Sequence, residues 1–276
     1  MDEHVIEAMG KAKITVRDGK VVEIEDPQID YCPLFHKHRG IEKLDAKTIK
    51  DNIEFRINDF GMCRPERALK MKDFLSFGIS ETISTLLEDK LVDCAVIVCD
   101  GAGTVLITDP ETVQGIGGRI SGFLSTTPIV EIINNLGENK VLNPATASIN
   151  QIEGTKKAID SGFKNIAVTV ASPEDAEELR KLEKSLDEVN IYIFAVHVTG
   201  LSLEEAEKLF NNSDVITSCA SKSIREIGEK KGLLKAGESI PIFAATKMGK
   251  EFLLRRIEKI GGLKAKKDAR QPEPLL

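Results

Sequence analysis

From residue 92 to about residue 260 the chain alternates short apolar runs with amphipathic stretches, and this rhythm narrows the possible folds more than any other feature. Runs at 92–99, 104–108, 165–170, 190–197, 214–219 and 240–245 are strand-sized and rich in Val and Ile. Helical spacing marks a stretch near 128–137 and the segments 173–186, 202–210 and 222–230. Two helix starts are signed: Ser172-Pro173-Glu174-Asp175 supplies an N-cap, a first-turn proline and acids, and Ser202 with Glu205 forms a capping box. Strands alternating with helices demand right-handed crossovers and a mostly parallel sheet. The expected fold class is α/β, with a mostly parallel sheet and flanking helices.

The first third reads differently. Residues 12–25 form two β-rich runs joined at Arg17-Asp18-Gly19-Lys20, a hairpin signal. A proline-bearing loop follows at 26–33. Helical spacing then covers 45–59 and 67–91, broken around Phe60-Gly61-Met62-Cys63-Arg64-Pro65. Three parts are expected: an N-terminal hairpin and helical region at 1–91, an α/β domain at 92–262, and a basic, flexible tail at 263–276 carrying Lys264, Lys266, Lys267 and Arg270.

No apolar run approaches the roughly 20 residues of a membrane-spanning helix, and the start MDEHVIEAMG is acidic where a signal peptide is basic, so a cytoplasmic location is expected. A net charge of -6 argues against a nucleic-acid surface. Five cysteines with no C-x-x-C pair leave any metal site to be assembled from distant segments.

Three strand runs end in a reactive side chain, at Cys99, His197 and Cys219. Ligands bind at the carboxyl ends of strands in open α/β sheets, so these residues are candidates for one crevice. Cys219 precedes Ala220-Ser221-Lys222 at a helix start, which suits a nucleophilic thiol, with His197 as its base and Arg225 orienting a substrate. Asp100 stands at the base of a hairpin turn, Cys99-Asp100-Gly101-Ala102-Gly103-Thr104, and is a further catalytic candidate. The cluster from Gln114 to Gly122 offers Gly115, Gly117, Gly118, Arg119 and Ser121 as an anion nest before a helix at Pro128. Cys32, with His36 and His38, and Cys63 add soft ligands from the N-terminal part. Cys94, on the opposite face of its strand from Cys99, reads as core.

The segments IDYCPLFHKHRGIEK, NIEFRINDFGMC, DFLSFGISE, AVIVCDGAGTVLITDPETVQGIGGRISG, AVTVASPEDAEE, FAVHVTG and CASKSIREIG span nearly the whole chain. On them the chain resembles the methanogenesis marker protein 8 family of methanogenic archaea. The resemblance implies a cytoplasmic protein tied to methane metabolism, with no assigned activity or catalytic residues, in strict anaerobes where oxygen-sensitive centres are at home. Three expectations stand together. Cys32, Cys63, Cys99 and Cys219 converge on an iron–sulfur cluster or zinc, serving assembly or activation of a methanogenesis enzyme or cofactor. Alternatively, Cys219 and His197 form a metal-free nucleophile–base pair acting on an anionic small molecule. Or the chain is a non-catalytic assembly partner of another methanogenesis protein, with a homo-oligomer also open.

Overall fold

The computed structural model describes residues 2–8, 10–72, 77–119, 122–237, 239–263 and 269–276. Its centre is a seven-stranded sheet of β4 (Cys94–Cys99), β5 (Gly103–Ile107), β7 (Asn165–Val170), β8 (Asn190–Ala195), β9 (Val215–Thr217), β10 (Leu234–Ala236) and β11 (Ile242–Ala244), in the order β10-β11-β9-β8-β7-β4-β5. The four inner strands β4, β7, β8 and β9 are parallel, as the alternation requires. Antiparallel strands close both sides: β5 returns from β4 by a tight hairpin, and β11 and β10 follow β9.

Helices cover both faces. α6 (Gln151–Asp160), α7 (Pro173–Lys184), α8 (Leu203–Asn212) and α9 (Lys222–Lys231) pack on one side, around Val96, Val168, Ile193 and Phe243. α3 (Ile79–Glu88), α4 (Pro110–Gly117), α5 (Val130–Leu136) and α10 (Lys247–Lys259) cover the other, around Ile97, Val105, Phe194 and Leu253. Strands buried on both faces read as continuous apolar runs, which is why their positions were visible in the sequence. Cys94 and Cys99 lie in opposite layers as their odd spacing implies, and burial pushes the Cys94 thiol up to about 12. The caps expected at Ser172 and Ser202 are formed, the latter as a full capping box.

A second, four-stranded antiparallel sheet has the order β3-β2-β1-β6, built from β1 (Glu3–Ala8), β2 (Ala12–Arg17), β3 (Lys20–Ile24) and β6 (Phe123–Thr126). The expected hairpin is β2–β3. The strand β1 and its partner β6 were not anticipated, and β6 comes from within the α/β part, so the two parts are interlaced rather than consecutive. With α1 (Pro33–Arg39) and α2 (Ala46–Phe60) this sheet encloses its own core, centred on Ile6, Ile14, Ile53 and Met62.

Three local expectations are corrected. Among the described residues of 67–91 a helix forms at α3 alone, because Arg67 is drawn into a buried ion pair and Leu69 lies against α4. The glycine cluster is not a loop at its start: Gly115 and Gly117 belong to α4, capped by Asp109. The chain end is not loose at 269–276. Tyr31 and Glu273 form a β-bridge, the Arg270 guanidinium stacks 3.5 Å over the Tyr31 ring, and the Leu276 N–H donates to the Ala220 carbonyl at 2.8 Å. Lys264, Lys266 and Lys267 lie outside the described residues. Among the described residues no helix is long and apolar enough to cross a membrane.

Candidate functional site

Strand order decides which strand exits meet. β8 and β9 are neighbours, so His197 and Cys219, each two residues past its strand, open into the same space. Together they line a cavity of about 460 Å3, roofed by α1, α2, the β1–β2 turn and the end of α4. Both residues have left-handed backbone, with φ of 59° at His197 and 37° at Cys219. Non-glycine residues take that conformation at a cost of about 1–3 kcal/mol and concentrate at functional sites.

His197 is oriented from the other sheet. Its Nε2 lies 2.9 Å from Glu7 Oε1 on β1. This bond, with Lys11 adding its charge, holds the Glu7 carboxyl below the usual carboxylate range. Gly122 makes room for the ring: a Cβ there would lie 2.8 Å from Cε1 and 3.0 Å from Nδ1 of the imidazole, and its carbonyl accepts the Glu7 N–H at 2.8 Å. Glu7 holds the imidazole through Nε2, and the Cys219 sulfur accepts from the backbone N–H groups of His197 and Val198.

The Cys219 thiol, half-buried, is pushed up by desolvation. Opposing that are the Thr217 hydroxyl 3.6 Å away, the Arg225 guanidinium and the two amides. Arg225 fixes the turn itself, since its Nη2 donates to the Cys219 carbonyl at 2.5 Å and to the Ser239 carbonyl at 3.0 Å, while Nη1 reaches Gln271 at 3.1 Å. Arg225 is therefore a positioning residue. Ser221 caps α9 immediately beyond, accepting the Ile224 N–H.

The other candidates form a separate, closed group. Asp100 is buried and paired with buried Arg67 at 3.0 Å, and it accepts the Cys63 N–H at 2.8 Å. Arg67 is spent further on the carbonyls of Ala68 and Gly115. Cys63 and Cys99 border this pair, and desolvation, reinforced by the Asp100 carboxylate, pushes both thiols well up. Such thiols are inert packing. The exits of β4 and β9 are three strand spacings apart, on the order of 14 Å, so Cys99 does not share the crevice with Cys219. Cys32 does line the cavity beside Cys219, capped under α1, whereas Cys63 does not. The expected four-thiol ligand set is therefore not assembled, and among the described residues no group of three or more His, Cys, Asp and Glu side chains is arranged to hold a metal ion. His36 contacts the Tyr31 hydroxyl at 3.0 Å instead.

The expected anion nest is also differently used. Gly115 and Gly117 lie within a helix, where amides point to carbonyls of the preceding turn, and the Gly118 N–H donates to the Gln114 carbonyl at 3.0 Å. Gly115 is there for packing, since a Cβ would sit 1.9 Å from the Leu69 carbonyl oxygen. Ser121 lies outside the described residues. Arg119, however, does reach the cavity, as do Gly117 and Gly118.

Comparison with known proteins adds a family. Residues 4–258 match the model of the family described as uncharacterized proteins conserved in archaea, DUF2099. The chain belongs to this archaeal family. It is 48% identical over 261 residues to Uncharacterized protein MJ0054 of Methanocaldococcus jannaschii, covering 93% of this chain and 91% of that one. The matched span contains the whole cavity except its C-terminal edge at Pro272.

Within this archaeal family member, the cavity is also lined by residues that no motif marks. Glu7 sits at the end of a strand of half-buried residues, near Lys11 but 190 residues from the His197 it holds. Lys11, Arg39, Arg56, Phe35, Phe55 and Phe60 are not among the candidates of the sequence, yet all six line the cavity. Their one sequence signal is helical spacing: Phe55, Arg56, Asp59 and Phe60 recur along one side of α2.

Proposed function

We propose that the protein is a thiol-dependent enzyme acting on an anionic small molecule, with Cys219 as nucleophile and His197 as its acid–base partner. The observation that carries the reading is the joint placement of these two side chains, both in strained left-handed backbone, on one cavity whose charged lining is mainly cationic. In a chain of net charge -6 such a lining selects anions. The Cys219 sulfur adds to a carbonyl carbon of the bound molecule, the π pair of that C=O moving onto its oxygen, and the thiol proton passes to Nδ1 of the imidazole. Glu7 holds that ring in place through Nε2. The amides of His197 and Val198, with the Thr217 hydroxyl, stabilise negative charge on the sulfur as it forms. A place in methanogenesis, as the family resemblance implies, belongs to the same proposal.

Alkylation with iodoacetamide, read by peptide mass spectrometry, tests it. Cys219 is expected to react faster than Cys32, which shares the cavity, and His197→Asn to slow the reaction at Cys219 by roughly tenfold or more. Equal rates at the two cysteines, or an unchanged rate in the variant, refute the nucleophile assignment.

A further inference from the structure

Three guanidinium groups line one side of the cavity, each laid over an aromatic ring: Arg39 at 3.4 Å from the Phe55 centroid, Arg56 at 5.8 Å from Phe35, and Arg119 at 4.6 Å from Phe60. They arrive from separate elements, α1, α2 and the segment after α4. Among the described residues none of them has a carboxylate within ion-pair distance. Arg56 spends Nε on Asn52 Oδ1 at 2.9 Å and Nη1 on the Arg119 carbonyl at 2.7 Å. Arg119 places Nε against the Met71 sulfur, and its buried Nη1 has no hydrogen-bond partner.

Burial, together with the neighbouring Arg39 charge, pulls the Arg56 guanidinium down to about 10. Like charges gathered in a half-buried space, with Asp59 on the same wall as a partial counter-charge to Arg119 but no ion pair, are stabilised by an incoming anion. Stacking occupies the faces of the guanidinium planes and leaves their edges, the N–H forks that grip carboxylate or phosphate oxygens two at a time. With Nε and Nη1 of Arg56 and Nε of Arg119 already committed, the remaining donors of the three guanidinium groups still exceed what one anionic group uses. The remaining walls, from Leu34, Phe35 and Ile29, suit a carbon skeleton, and the volume fits a small metabolite.

We infer that the cavity takes a small molecule bearing two or more phosphate or carboxylate groups, anchored on Arg39, Arg56 and Arg119 with its uncharged end toward Cys219. Only the orientation rests on the thiol reading above; the anchoring does not.

Calorimetric titration of the full chain with pyrophosphate, citrate and acetate at low ionic strength tests the anchoring. Pyrophosphate or citrate is expected to bind, and whichever binds identifies phosphate or carboxylate as the anchored group. Arg119→Lys, which keeps the charge and removes the fork, and Arg56→Gln should each weaken that binding roughly tenfold or more. Circular dichroism checks that each variant is folded, and if Arg56→Gln is not, Arg119→Lys alone decides. No binding of either polyanion at millimolar concentration, acetate binding as tightly as citrate, or unaltered affinity in the folded variants would each overturn the inference. Alkylation of Cys219 in the same preparations keeps the two proposals apart, because a fast thiol with no polyanion binding removes the anchor and leaves the nucleophile.

Discussion

Asp100 and Cys219 show how differently two residues of similar sequence promise end up. Each follows an apolar strand and precedes small residues, but Asp100 is closed in by Arg67, with both side chains fully buried. Such a pair adds little net stability, yet breaking one side leaves an uncompensated buried charge. Arg67→Met is expected to destabilise the protein by about 3–5 kcal/mol in denaturant unfolding. Adding Asp100→Asn, which keeps an acceptor for the Cys63 amide, should recover part of that loss; a double variant no more stable than the single one would mean that the pair is not the cause. What a sequence cannot show here is the partner, since Arg67 lies 33 residues away across a chain reversal.

At the scale of elements, the glycine-rich stretch resolves into a helix end and a strand. The helix α4 runs so close to the 68–70 segment that Gly115 has no room for a side chain. Gly115→Ala is therefore expected to cost about 1–3 kcal/mol by overpacking, rather than gain the roughly 1 kcal/mol that alanine ordinarily brings to a helix interior. Thermal unfolding reads the sign directly, and a stabilised variant would return Gly115 to the list of candidate ligand contacts. Gly122 has a different task, giving the His197 ring its place beside β1. Density of glycine marked an unusual region in the sequence, but loop, helix packing and ring clearance produce the same letters.

Across the whole molecule, the two sheets are joined through His4. Its Nδ1 lies 2.6 Å from Thr126 Oγ1, which in turn accepts the Gly101 N–H from the β4–β5 hairpin. Desolvation holds the buried imidazole below its ordinary value, against the opposing pull of Asp2, Asp100 and Glu3. The unfolded chain then takes up a proton more readily than the folded one. Stability is full above about pH 6.5 and declines as pH falls below it. A His4→Gln variant should show a flatter dependence of melting temperature on pH between about 6.5 and 5, and a slope unchanged from the parent would show that other groups govern it.

Legible in the residues alone were the α/β class, the parallel inner strands, the β2–β3 hairpin, the helix starts at Ser172 and Ser202, and His197 and Cys219 as strand-exit candidates, because each depends on periodicity or caps that short stretches carry; that the two exits are neighbours came from the strand order. Tertiary structure alone decided that β6 pairs with β1, that Glu7 holds His197, that Cys99 and Cys63 are sealed around Asp100, and that Arg39, Arg56 and Arg119 face one cavity. Those relations join segments tens to nearly two hundred residues apart. Their energies come from burial and charge in a particular enclosure, and no local pattern of residues records which enclosure the chain will form.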